Sequence, residues 1–205
     1  MMRHTFILDL SLMPSILIEV KSDDSLFFKF KLCYSSSELL KEFSSCYEKH
    51  KNKELLQFYI CKGPGSYTGL KLAQIISEVL ALMQTQVIDY THFDLLNAIF
   101  EDGFIFCTYA YKNEFYYGDE KNKKLLVKKE DLLTTLNNCK SINRIAGKKS
   151  DLEHIKEVKV DHFLEDIYMD FNKIKIFISN FKSNSKLDLV YFRHEEQDFI
   201  PSILK

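Results

Sequence analysis

Nine residues between an apolar run and a helical pattern, Gly63-Pro64-Gly65-Ser66-Tyr67-Thr68-Gly69-Leu70-Lys71, are where this chain could most plainly do chemistry. Three glycines in seven residues give the backbone freedom for a tight turn, and Ser66 or Thr68 can cap a helix whose first amides point out of the loop. Such a turn suits an anion. It serves equally as a strand-to-helix bend with no ligand. The spacing is not that of a Walker A loop, since no Gly-Lys-Ser or Gly-Lys-Thr follows. Nor does Ser66 sit in a Gly-x-Ser-x-Gly nucleophile elbow, because the glycines fall in the wrong places.

The other reactive side chains are scattered. Asp9 closes an apolar run and is followed by Leu10, Ser11, Leu12, Met13 and Pro14 without a glycine, so a close backbone cradle for phosphate is not expected there. Asp9 reads as a residue that orders its turn. No two of the histidines His4, His50, His92, His154, His162 and His194 are four apart, which removes the helical His-x-x-x-His metal pair, and each is expected at the surface or a polar rim. Cys33, Cys46, Cys61, Cys107 and Cys139 are odd in number, widely spaced and without a Cys-x-x-Cys, and they read as reduced core thiols of a cytosolic protein. No catalytic, cofactor-binding or metal-ligating residue is expected.

The elements that must hold these residues follow from periodicity. Thr5–Leu10, Ser15–Val20 and Leu26–Cys33 read as three strands in a meander, and Ser35 with Glu38 forms a capping box for a helix to His50. A strand over Leu56–Cys61 enters the glycine segment, a helix runs from Leu70 to about Gln84, and a strand at Val87–Asp89 precedes a helix opened by Thr91. Three strands, helix, strand, helix, strand, helix make a mixed sheet covered by helices. From Gly103 the pattern restarts: strands at Phe104–Tyr109, Glu114–Gly118 and Leu125–Lys128, a helix over Lys129–Asn138, a strand at Ile142–Ala146 and a helix at His162–Asn172. A Ser, Asn and Lys-rich loop over Asn180–Leu187 and a strand at Leu189–Phe192 close the chain. The expected domains are 1–101 and 102–205.

Composition excludes several classes. The 205 residues carry 28 Lys plus Arg against 29 Asp plus Glu, with Arg only at positions 3, 144 and 193, so independent binding of nucleic acid or another polyanion is not expected. No apolar run reaches the ~18 residues of a membrane span, and no signal-peptide pattern opens the chain. A cytoplasmic protein is expected.

The glycine segment resembles the Gly-Pro-Gly-Ser-Phe-Thr-Gly-Leu-Arg signature of the TsaB (YeaZ) family, with Tyr67 and Lys71 as conservative replacements. Ile7-Leu8-Asp9-Leu10-Ser11 is similar to the family's Ile-Asp-Thr-Ser strand, Ser36-Ser37-Glu38-Leu39-Leu40 to its His-Ser-Glu-Leu-Leu helix start, and Val190-Tyr191-Phe192-Arg193 to its Tyr-Leu-Arg. Thr91 to Leu96 takes the place of Val-Ser-Ser-Leu, and Ala110 to Tyr117 that of Asp-Ala-Arg-x-x-Glu-Val-Tyr, with Tyr109 and Tyr111 replacing its Asp and Arg. The likeness implies an α/β protein of two actin-like (ASKHA, RNase H-like) lobes, each a mixed sheet with helices, the second smaller and diverged. It further implies a non-catalytic subunit that dimerises with the TsaD-type transferase making threonylcarbamoyladenosine in tRNA, joined by a TsaE-type ATPase. A homodimer when alone, and a nucleotide at the complex interface, are left open; tRNA would be met only through the complex. A small ASKHA phosphotransferase or metallopeptidase and a self-associating scaffold are the rival readings.

On a helical wheel, Leu70 to Gln84 shows a polar arc of Lys71, Gln74, Ser77, Glu78 and Gln84 and an apolar arc wider than a sheet needs to cover. Ala73, Ser77 and Ala81 form a small-residue seam along which another helix could approach. The expected partner interface is therefore Leu70, Ala73, Gln74, Ser77, Leu80 and Ala81, with Ser44 and Ser45 of the preceding helix alongside. Gly63, Pro64, Gly65, Ser66, Thr68 and Gly69 are expected to be structural.

Overall fold

Alternation at period two sets the first sheet. The computed structural model of the chain describes residues 3–21, 27–51, 55–100, 103–111, 114–119, 125–138, 145–151, 154 and 160–181. Strands β1 (Arg3–Asp9), β2 (Ser15–Lys21), β3 (Phe27–Cys33), β4 (Leu55–Cys61) and β5 (Gln86–Tyr90) lie in the order β3-β2-β1-β4-β5. The first three are antiparallel neighbours, whereas β1, β4 and β5 pair in parallel. Helices α1 (Ser36–His50) and α2 (Tyr67–Leu82) cover one face, meeting Phe6, Leu8, Leu17, Phe58 and Ile60. Helices α3 (His92–Ile99) and, from the end of the described chain, α6 (Phe171–Asn180) cover the other, meeting Ile7, Ile16, Ile18 and Tyr59. Successive residues of each strand thus point to opposite helical layers.

The second half repeats the plan. Strands β6 (Ile105–Tyr111), β7 (Glu114–Asp119), β8 (Leu125–Lys128), β9 (Ile145–Gly147) and β10 (His162–Phe163) form a sheet ordered β8-β7-β6-β9-β10, with the same antiparallel and parallel pairings in the same positions. Helix α4 (Lys129–Asn138) packs on its outer face, and α5 (Leu164–Met169) joins α3 and α6 in the core between the sheets. Two mixed sheets with one strand order used twice constitute the actin-like arrangement expected above.

Two expectations about elements change. The helix expected over His162–Asn172 is instead β10, α5 and the start of α6, because the Asp170 side chain accepts from the Asn172 and Lys173 amides and restarts the helix there. The strand expected at Ile142–Ala146 is Ile145–Gly147, with 142–144 outside the described residues; the final loop and strand also lie outside them, apart from Asn180 and Phe181.

The interface expectation for α2 meets a larger correction. Leu70, Ala73, Ser77 and Leu80 are buried in the first lobe rather than presented outward. The cause is Lys62, a buried cation at the end of β4: its Nζ donates to Ser77 Oγ at 2.6 Å and lies 3.3 Å from Asp89 Oδ1. Ser77 is the polar link of that buried group, so its side of α2 turns inward. The exposed stripe is Ile75 (55%), Val79 (46%), Leu82 (84%) and Met83 (47%), at the i, i+4, i+7, i+8 spacing of one helix face. Ala81 is also exposed, as are Ser44 and Ser45 on α1, and half-buried Gln74 donates to Glu78 beside the stripe.

Ala73→Glu should therefore unfold the lobe, not merely roughen a surface. A buried, uncompensated carboxylate costs about 3–5 kcal/mol, and urea denaturation should show at least that loss; an unchanged midpoint would contradict this burial.

Candidate functional site

The glycine segment packs against the β1–β2 turn so closely that side chains are excluded. A Cβ on Gly69 would stand 1.8 Å from the Leu10 carbonyl oxygen, and one on Gly65 would stand 2.5 Å from that of Ser11. Gly63 adopts φ 100°, open to glycine at no steric cost. The Ser66 amide donates to the Ser11 carbonyl at 3.1 Å, and the Ser66 hydroxyl caps α2 through the Gly69 amide. Helix α2 starts three residues before the periodicity suggested, because Ser66 and not a later residue is the cap.

What the turn presents is the side chain of Asp9, and it is fully enclosed. Oδ1 accepts from the Ser11 amide at 2.9 Å and the Ser11 hydroxyl at 2.5 Å. On the other oxygen, Oδ2 lies 2.7 Å from His92 Nε2 and accepts from the Tyr168 hydroxyl at 2.8 Å. Tyr90 Oη lies 2.8 Å from Tyr168 Oη; since Tyr168 spends its proton on Asp9, Tyr90 is the donor to Tyr168. His92 is the first residue of α3, placed by the Thr91/Asp94 capping box and by its own amide bonding to the Gly63 carbonyl. Tyr168 belongs to α5, so the second half supplies one of the four donors to a carboxylate of the first.

Lys148, just after β9, also crosses over: its buried Nζ donates to the Pro64 carbonyl at 3.2 Å. Burial by itself would raise the Asp9 carboxyl, but the charge and hydrogen bond of His92, the Ser11 hydroxyl and the Lys148 charge outweigh it and hold Asp9 well below the usual carboxylate range. Burial pushes the His92 ring below its ordinary value, with Asp9 pulling the other way. It also drives the Tyr90 and Tyr168 phenols and the Cys61 thiol well up.

Chemically, Ser11, His92 and Asp9 are the residue types of a nucleophilic triad in the wrong geometry. A working triad uses one imidazole nitrogen for the acid and the other for the serine. Here His92 Nε2 faces both, at 2.7 Å from Asp9 and 3.2 Å from Ser11 Oγ, while Asp9 itself binds the hydroxyl. Asp9, Cys61 and His92 also stand within ligand range of one another, but Asp9 is saturated by four donors and Cys61 is held as a thiol. The recess beside the motif, lined by residues such as Leu12, Met13, Ser35, Ser66 and Thr68, holds about 60 Å³, below the ~300–1,000 Å³ of ordinary ligand sites.

The histidine expectation is corrected for three of the six: His4, His50 and His92 are buried, each against a carboxylate. Cys33, Cys61 and Cys107 are buried free thiols and Cys46 is half-buried; Cys139 lies outside the described residues.

No family profile matches this sequence, and no curated protein matches it. Solved structures do. The chain shares the fold of YeaZ. YeaZ from Pseudomonas aeruginosa superposes with a TM-score of 0.54 at 12% identity over 78% of this chain and 83% of that one. A second structure, of an uncharacterized Pseudomonas aeruginosa protein described as similar to peptidase YEAZ, gives a TM-score of 0.54 at 11% identity over the same shares. At this identity the likeness to YeaZ is one of fold.

The enclosed pair has a pH signature. With His92 depressed in the fold, the unfolded ring takes up a proton first as pH falls through about 6.5, so acidification there lowers stability. Asp9, also depressed in the fold, removes more as pH drops below the unfolded carboxylate value near ~4. The urea midpoint should fall from pH 7 to pH 5, and His92→Gln should flatten that slope; an identical slope in the variant would contradict the assignment.

Proposed function

We propose that this chain is a TsaB-type accessory subunit that docks through the outer stripe of α2 onto a TsaD-type transferase and holds it in an active arrangement for threonylcarbamoyl transfer to tRNA adenosine. The observation that carries the reading is the apolar stripe Ile75, Val79, Leu82 and Met83 on a helix whose opposite side is already packed into its own lobe. An amphipathic helix normally exposes polar residues opposite its core face, and a contiguous apolar row there is the kind of surface a partner helix covers. Gln74, Glu78 and Lys71 flank the row as a polar rim.

The YeaZ-like fold and the glycine segment support the same assignment. Within it, the chain works in the cytoplasm, meets a TsaE-type ATPase and tRNA only through the complex, and contributes no catalytic group. Any nucleotide would sit at the complex interface. No described helix is long and apolar enough to cross a membrane.

One structural neighbour is similar to a peptidase, and this together with the Ser11–His92–Asp9 grouping favours hydrolysis as the second reading. Enclosure of all three side chains and the shared Nε2 weigh against it.

Ile75→Glu and Leu82→Glu place charge on exposed positions and should leave the unfolding free energy within about 0.5 kcal/mol of wild type. Each should weaken binding to the co-expressed transferase by at least ~30-fold, as loss of an interface hot spot does. Calorimetric titration of the purified pair checks this; full affinity in both folded variants sinks the docking surface, and peptide hydrolysis by the isolated chain favours the rival.

A further inference from the structure

At the end of the first lobe away from Asp9, three side chains from three elements converge beneath the C-terminus of α1. His4 enters from β1, Glu19 from β2 and His50 from the last turn of α1, with exposures of 2%, 4% and 7%. Glu19 Oε1 lies 3.5 Å from His4 Nδ1 and 3.2 Å from His50 Nε2, and the three donor atoms fall within 4.8 Å of one another. Two strands and a helix fix this grouping. His4 and Glu19 stand diagonally across the β1–β2 ladder, since Phe6 is the direct partner of Glu19 and Lys21 that of His4, and both point toward the α1 layer.

We infer that His4, Glu19 and His50 form a binding site for a single divalent transition metal, zinc by the chemistry of the donors. Zinc takes imidazole nitrogen and carboxylate oxygen at about 2.0–2.2 Å in tetrahedral geometry, which spaces neighbouring donors by about 3.3–3.5 Å. The two contacts to Glu19 Oε1 match that spacing. They do not form hydrogen bonds: Glu19 Oε1 accepts none, although it is out of reach of solvent. A buried carboxylate needs compensating charge or hydrogen bonds, and the two imidazole rings, with centroids 4.1 Å apart, repel if both take up protons. A metal ion meets both conditions, because it supplies the positive charge while leaving each imidazole neutral.

Two imidazoles and one carboxylate leave a fourth tetrahedral position. Cys46, one turn before His50 on α1, lines with Glu19 a recess of about 10 Å³, close to the room for one water molecule. The fourth donor is therefore water. Burial of all three residues makes the role structural: the ion clamps the end of α1 to β1 and β2. The grouping around Asp9 differs, because its carboxylate is already filled by protein donors.

The test uses the full chain, stripped with EDTA and reloaded with ZnCl2 or CoCl2. Wild type should bind about one zinc per chain by mass spectrometry of the metal and should gain several degrees in Tm with zinc in excess, as ligation of the folded state alone requires. Cobalt should give the visible absorption of a tetrahedral ion. Glu19→Gln and His50→Gln, checked for folding by circular dichroism, should lose the stoichiometry, the absorption and the zinc-dependent shift in Tm. Wild-type chain that takes up no zinc, or variants that bind as well as wild type, would overturn the site. If one variant fails to fold, the other still decides.

Discussion

A single buried anion constrains this molecule. Asp9 lies at the end of β1 with no contact to water, and such a charge persists only where donors replace its hydration. Ser11 supplies two, His92 a third and Tyr168 the fourth. The four donors come from three parts of the chain, so the turn after β1, the start of α3 and the helix α5 of the second lobe are fixed relative to one another. The glycine segment follows from the same demand: Gly65 and Gly69 let the loop before α2 lie against Leu10 and Ser11, sealing the turn on its remaining side. Lys148 closes the seam by reaching Pro64 from the second lobe.

Enclosure at this point separates architecture from chemistry. The two-lobed plan with its doubled strand order is built around an interlobe region, and here that region is filled by Asp9, His92, Tyr168, Tyr90 and Phe106. Groups that could act as nucleophile and base serve as mutual hydrogen-bond partners. Among the described residues, the outside of α2 keeps an open apolar surface, while its inner side is anchored by Lys62, Ser77 and Asp89. A docking role for the chain rests on that division between an inward face held by a buried ion pair and an outward face of aliphatic side chains.

Much of this was legible in the sequence, and the gaps have physical causes. Alternation located the strands, Ser35 and Thr91 announced α1 and α3, and the glycines marked the bend before α2. The restart after Gly103 gave the second lobe. The outward side of α2 is not legible because its apolar arc is wide: periodicity shows how much of a helix is apolar but not which edge meets the sheet, and Lys62, a lysine that goes inside, draws Ser77 inward with it. His92 and Tyr168 stand 83 and 159 residues from Asp9, a separation no local pattern encodes. One signal was available for His92: it directly follows the cap residue Thr91 at the end of a buried strand, where the chain returns to the lobe interface. For His4, Glu19 and His50 the hint was a polar residue at an inward position of an otherwise apolar ladder.

If one carboxylate joins the two lobes, its neutralisation must loosen both together. Hydrogen exchange read by mass spectrometry on Asp9→Asn tests this, because local opening exposes amides in contiguous units. Faster exchange is predicted in peptides covering the β1–β2 turn with the start of α2, and in those covering α5 and α6, by a similar factor. Acceleration confined to the turn, with α5 and α6 exchanging at the wild-type rate, would contradict the account.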